Sequence, residues 1–197
     1  IFDLVCLVCF FVSWAMLNNG RQGRAGRTLT QTLPEQITLY PLPGFALIAD
    51  LSVNTSIWMR EMAERLQTWV HGHDDPDVDA METPMEPEMA EAIYELDRCI
   101  ECGCCVAACG TAPMRPAFVA AVGLSKIARF RLDPRDQRTD ADYYEVVGND
   151  QGIFGCMSLL GCEDLCPKGL PLQTQLAYMR RKMAMQGVRK WIPLARA

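Results

Sequence analysis

"CIECGCCVAAC", residues 99–109, packs five cysteines into one short stretch. Four of them, Cys99, Cys102, Cys105 and Cys109, fall at C-x2-C-x2-C-x3-C. A second stretch, "CMSLLGCEDLCPKG" (156–169), repeats the frame with Cys156, Cys162 and Cys166, but Leu159 stands where the middle cysteine belongs. The 197-residue chain has 10 cysteines, and eight of them lie in these two runs. A disulfide framework spreads its cysteines along the chain, whereas a metal site gathers several thiolates around one point.

The first run has the spacing of two-cluster bacterial ferredoxins, in which three closely spaced thiolates hold one iron–sulfur cube and the fourth reaches the other. The proline that usually follows the fourth cysteine is replaced by Gly110 here, although Pro167 is present after Cys166. Crossing the fourth ligands assigns Cys99, Cys102, Cys105 and Cys166 to one site. Cys109, Cys156 and Cys162 go to the other, with no thiolate for a fourth iron. This arithmetic predicts one [4Fe–4S] and one [3Fe–4S] cluster. Zinc favours closed four-ligand sites, so seven ligands divided four and three fit it poorly. Cys104 is out of frame and reads as a non-ligating neighbour.

Half the residues are hydrophobic and 22% are charged, a globular composition. The net charge of −5 argues against nucleic acid as a partner. No run of 18 apolar residues is available to span a membrane. The sequence begins with Ile rather than Met, so the true N-terminus, with any targeting peptide, is expected upstream of residue 1. Residues 1–50 read as a small, partly β region, with "PLPGFALIADLSV" (41–53) as a packed connector. Helices are expected over 56–70, 87–99, 115–130, 139–148 and 171–187, with the cysteine runs in the connections. "HGHDDPDVDAMETPMEP" (71–87) reads as a solvated acidic linker, and His71 and His73 as a solvated pair. The methionines of "MRRKMAM" read as core and surface filler.

With these motifs in hand, residues 86–187 resemble the iron–sulfur subunit of succinate dehydrogenase/fumarate reductase (respiratory complex II). "PLPGFALIADLSV" and "WMREMAERLQTWV" resemble the connector upstream of it. The resemblance implies a mainly α fold. Residues 51–197 would form a helical, bacterial-ferredoxin-like domain with two clusters. Residues 1–50 would be a degenerate, truncated remnant of an α+β plant-type ferredoxin-like domain. The chain would relay electrons from a flavoprotein subunit, where succinate is oxidised, to quinone at membrane anchor subunits. Pro113, Met114, Met157 and Leu159 would lie near quinone, the first three in place of the aromatic residues and His of familiar ubiquinone-type members. The basic tail from Met179 onward would touch an anchor subunit or lipid head groups.

The same resemblance gives meaning to "FDLVCLVCFFVSWAMLNNGRQGRAGRT" (2–28). The family's [2Fe–2S] loop lays onto it with "FDLVC" at Cys6, "NGR" at Asn19, Gly20 and Arg21, and "RTLT" from Arg27. The four ligand positions then hold Cys6, Phe11, Trp14 and Gly26, and Cys9 is out of frame. A [2Fe–2S] cluster needs four such ligands, so none is expected in this chain. A separate polypeptide would carry it, as in the split subunits of euglenozoan protists, with this chain as the C-terminal piece. The expected place is peripheral, on the matrix side of the mitochondrial inner membrane. The alternative is an unsplit bacterial fumarate reductase subunit at the cytoplasmic membrane. A free two-cluster carrier and a zinc-stabilised interaction protein are the readings from other classes.

Overall fold

The computed structural model describes residues 40–72 and 84–191. The expectations for residues 2–28, for His73 and for the tail after Trp191 fall outside the described residues. The described chain is mainly helical with one small sheet.

Strands β1 (Ala46–Ala49) and β2 (Ser52–Asn54) form an antiparallel hairpin, with Leu47 opposite Val53 and an irregularity between Leu47 and Ala49. Such a hairpin has little stability alone. Leu42 and Val53 are buried beneath it with Phe45 and Ala107 packed against them. Phe45 also meets Trp58 edge to face at 6.2 Å between centroids. The connector therefore rests directly on the first cysteine run.

Helix α1 (Ser56–Leu66) buries Met59, Met62 and Leu66, one apolar stripe at helical spacing. It stops short of the expected residue 70 because Gln67 turns left-handed at φ 50°. The Thr68 and Gln67 amides then donate back to the Ala63 and Glu64 carbonyls, a Schellman closure. Helix α2 (Pro87–Asp97) starts with proline in its first turn, where no amide is missed, and buries Ile93 and Leu96. Helix α3 (Cys104–Ala107) is one turn inside the first cysteine run.

Helix α4 (Ala120–Leu132) is the centre of the molecule, buried from Ala120 through Ser125 and again at Ile127 and Ala128. It begins later than expected because residues 111–118 close turns of their own, with Met114 and Arg115 amides on the Thr111 carbonyl and the Phe118 amide on Arg115. Helix α5 (Asp140–Val147) opens with a capping box between Thr139 and Asp142. After a 3₁₀ turn (Ile153–Gly155), helix α6 (Gly161–Asp164) is a single turn in the second run. Helix α7 (Leu172–Trp191) packs Leu172, Leu176, Met179 and Met183 onto α4 and α5. Met179 and Met183 are thus core, as expected, while Met185 is exposed.

His71 is not solvated. Its ring stacks on Trp69 at 5.7 Å, its amide donates to Asp136 Oδ2 at 3.3 Å, and its carbonyl accepts from the Gln137 amide at 2.9 Å. Arg138, in a nearly buried pair with Asp136, also donates to the Gln67 and Trp69 carbonyls. These bonds stitch the chain after α1 to the loop after α4, and that long-range stitching is what leaves His71 half-buried, with its Nε2 out of solvent.

Candidate metal centre

Each position of the first cysteine run has a counterpart 57 residues later: Cys99 and Cys156, Cys105 and Cys162, Cys109 and Cys166. The backbone repeats with the same offset. The Cys99 amide donates to Leu96 and the Cys156 amide to Ile153, both at 3.4 Å. Val106 donates to Gly103 and Glu163 to Leu160, Ala108 to Cys104 and Leu165 to Gly161, Cys109 to Val106 and Cys166 to Glu163. Left-handed residues recur in step, Glu101 and Gly103 in one run, Ser158 and Leu160 in the other. Two loops of the same conformation therefore carry the cysteines, and Leu159 occupies the backbone position of Cys102.

Left-handed backbone costs a non-glycine residue about 1–2 kcal/mol. Three such residues, Glu101, Ser158 and Leu160, are held here, and the first two turn an amide onto a cysteine sulfur. The Ser158 amide reaches Cys156 Sγ at 3.4 Å, and the Glu101 amide lies on the Cys99 sulfur in the same way. Gly103 is required twice over. Its φ is +81°, and a Cβ there would stand 2.7 Å from the Phe45 ring. At Gly110 a Cβ would meet Leu159 Cδ1 at 2.7 Å, so Leu159 folds down over the residue after Cys109.

Cys99, Cys102, Cys105 and Cys166 line one pocket, together with the apolar Val122, Leu170 and Leu172. A tetrahedral zinc would draw its sulfurs to about 3.8 Å from one another. No group of three or more His, Cys, Asp or Glu among the described residues is gathered tightly enough to hold a single ion. The donors suit a larger, multi-iron group with thiolates spread around it. Burial, followed by the neighbouring Cys156 and Cys109 thiols, pushes Cys162 up to about 11. Cys105 is pushed well up by burial, then by Cys102, Cys99, Cys162 and Cys166. Burial likewise raises Cys99. A metal group bound at these thiols would displace their protons. Cys104 is 1% exposed and faces the core.

Two contacts outside the cysteines hold the loops together and a third ties the second loop to α7, and none could be read from spacing. Arg98 donates from Nη2 to the Lys168 carbonyl at 2.9 Å, tying the start of the first run to the end of the second. Buried Thr111 donates from Oγ1 to the Gly155 carbonyl at 3.2 Å, tying the end of the first run to the start of the second. From α7, Arg180 donates to the Cys156 carbonyl at 2.6 Å and to Ser158 Oγ at 2.8 Å. The clamps thus join the two loops in a crossed sense: the residues beside Cys99 meet those beside Cys166, and the residues beside Cys109 meet those beside Cys156. Lys126 of α4 pairs with Glu101 next to the first loop.

Pro113, Met114, Met157 and Leu159 are all exposed and flank the Cys109 and Cys156 end of the loops. Met114 is 62% exposed, Met157 54% and Leu159 65%, and Phe154 joins them at 40%.

Residues 95–170 match the model of the 4Fe-4S dicluster domain. The fumarate reductase iron–sulfur subunit of Wolinella succinogenes is 54% identical, over 92% of this chain and 77% of that protein. The succinate dehydrogenase iron–sulfur subunit of Bacillus subtilis is 27% identical, over 96% of this chain and 74% of that protein. In fold, the chain is similar to a chain of the Mycobacterium smegmatis Sdh1 complex in the apo form, with TM-score 0.67 and 20% identity over 87% of this chain and 70% of that one. The paired cysteine loops, the dicluster domain and this degree of identity converge, and the chain belongs to the family of iron–sulfur electron-transfer subunits of succinate dehydrogenase and fumarate reductase.

Proposed function

We propose that the chain relays electrons one at a time between a flavoprotein subunit and quinone, with a [4Fe–4S] centre held by Cys99, Cys102, Cys105 and Cys166 and a [3Fe–4S] centre held by Cys109, Cys156 and Cys162. The observation that carries this reading is the repeated loop with leucine at the position equivalent to Cys102. When bound, such clusters supply one-electron redox steps without proton or bond rearrangement of the protein. The chain's own residues fix their surroundings. Val122, Leu170 and Leu172 give the first centre an apolar wall. Inward amides at Glu101 and Ser158 place donors on cysteine sulfur. Arg180 brings a fixed cation to the second loop.

The exposed Met114, Phe154, Met157 and Leu159 supply an apolar face beside the second centre, suited to membrane anchor subunits and quinone. Trp191, 88% exposed after Arg189 and Lys190, suits the same membrane side. No described helix is long and apolar enough to cross a membrane. Attachment is peripheral, at the matrix face of a mitochondrial inner membrane or the cytoplasmic face of a bacterial one. Phe11, Trp14 and Gly26 at three of the four [2Fe–2S] ligand positions support a separate polypeptide as the carrier of that cluster. Purification of the intact complex tests this part: a further iron–sulfur polypeptide is expected, and its absence refutes it.

Leu159→Cys tests the cluster assignment. It restores a fourth thiolate, so the oxidised protein should lose its [3Fe–4S] EPR signal and gain iron. A variant that keeps the signal at native intensity contradicts the assignment.

A further inference from the structure

Ser125 lies in the interior of α4 and is 4% exposed. Its hydroxyl has no hydrogen-bond partner. A serine inside a helix ordinarily returns its hydroxyl to the carbonyl four residues back, and here it does not. Leaving a buried hydroxyl unpaired costs about 1–3 kcal/mol, and an alanine would fill the same place without that cost. The residue lines the cavity formed by Cys99, Cys102, Cys105 and Cys166. One turn earlier on the same helix face, Ala121 clusters with Leu170 and Leu172, and Cys99, Cys105, Cys162 and Cys166 pack against that cluster. Lys126, the next residue of α4, is paired with Glu101, and the Ser125 Oγ–H is an uncommitted donor in the wall it shares with the four cysteines.

We infer that Ser125 is a positioning residue of the first centre, donating a hydrogen bond to a cysteine or cluster sulfur and thereby raising the centre's reduction potential. The inference rests on the ligand assignment above. The sign follows from charge: taking up one electron makes the sulfurs more negative, and a donor stabilises that state more than the oxidised one. No proton is transferred, so the step balances as a single electron.

The test is an EPR-monitored redox titration of the iron-loaded complex with native chain, Ser125→Ala and Ser125→Thr. At the native midpoint, Ser125→Ala should lower the ratio of reduced to oxidised first centre about two- to tenfold, the size of one neutral hydrogen bond. Ser125→Thr keeps a hydroxyl and should recover most of the ratio. The midpoint of the second centre should stay in place. A native midpoint in Ser125→Ala, or equal shifts in both centres, overturns the inference. Should Ser125→Ala fail to load the centre, Ser125→Gly removes the hydroxyl without bulk and carries the same comparison. Loss of the centre in every variant, Thr included, makes the side chain structural and also overturns it. The ligand assignment fails separately, if the native complex shows no reduced four-iron signal.

Discussion

Thr111→Val isolates one of the crossed clamps. Valine keeps the shape and the methyl of threonine and removes only the Oγ1 donor. Thr111 is 2% exposed, and its hydroxyl spans 3.2 Å to the Gly155 carbonyl. The variant leaves that carbonyl without its donor in a site closed to water, which costs about 1–3 kcal/mol. The backbone role of Thr111, accepting from Met114 and Arg115, is untouched, so the turn itself survives. In a chain of this size each kcal/mol moves the melting temperature about 2–4 °C, giving a fall of roughly 4–8 °C at the middle of the range. The loss is also directional. Thr111 follows Cys109 and Gly155 precedes Cys156, so the second centre should lose occupancy first. Circular dichroism melting, paired with spin counts of both centres on the same sample, reads both effects. A melting temperature within about a degree of native, or equal losses at the two centres, refutes the clamp.

Gly103→Ala should cost about 1–2 kcal/mol from left-handed backbone alone, with more added by the 2.7 Å clash on Phe45. Denaturant unfolding should show it, together with poorer iron loading at the first centre. Arg98→Ala breaks an exposed bond to Lys168 and should cost less than Thr111→Val in the same assay, with its loss directed at the first centre. The pH dependence is set in part by Asp133, which hydrogen bonds from Arg135, with Arg129 beside it, hold down at about 2. A carboxylate depressed in the folded state stabilises above its unfolded value of 3.8, and that stability drains away as pH falls toward 2. Urea midpoints at pH 5 and pH 3 should therefore differ less in Asp133→Asn than in the native chain.

The cysteine frame was legible because metal ligation imposes spacing on the chain itself. Leu159 stood out for the same reason, as a gap in a pattern. Helices α2, α5 and α7 were legible from their stripes and from Pro87. The late start of α4 was not, since it depends on turns around Thr111 that no periodicity announces. The capping box at Thr139 and Asp142 was present as a T-x-x-D signal. Arg98, Thr111, Arg180 and Ser125 could not be found by pattern, because each acts on a partner far along the chain or on a cavity that exists only once α4 is in place. His71 misled for a related reason: a polar residue leading into an acidic stretch reads as solvated, yet Asp136 and Arg138, more than sixty residues away, draw it in.

The central claim is the crossing of the fourth ligands, and a matched pair of variants measures it. Cys166→Ser and Cys109→Ser are compared by EPR of the intact complex, oxidised for the three-iron signal and reduced for the four-iron signal. Crossing predicts that Cys166→Ser damages the four-iron centre and spares the three-iron one, while Cys109→Ser does the reverse. If Cys109→Ser strikes the four-iron centre and Cys166→Ser the three-iron centre, each loop serves its own site and the account is wrong.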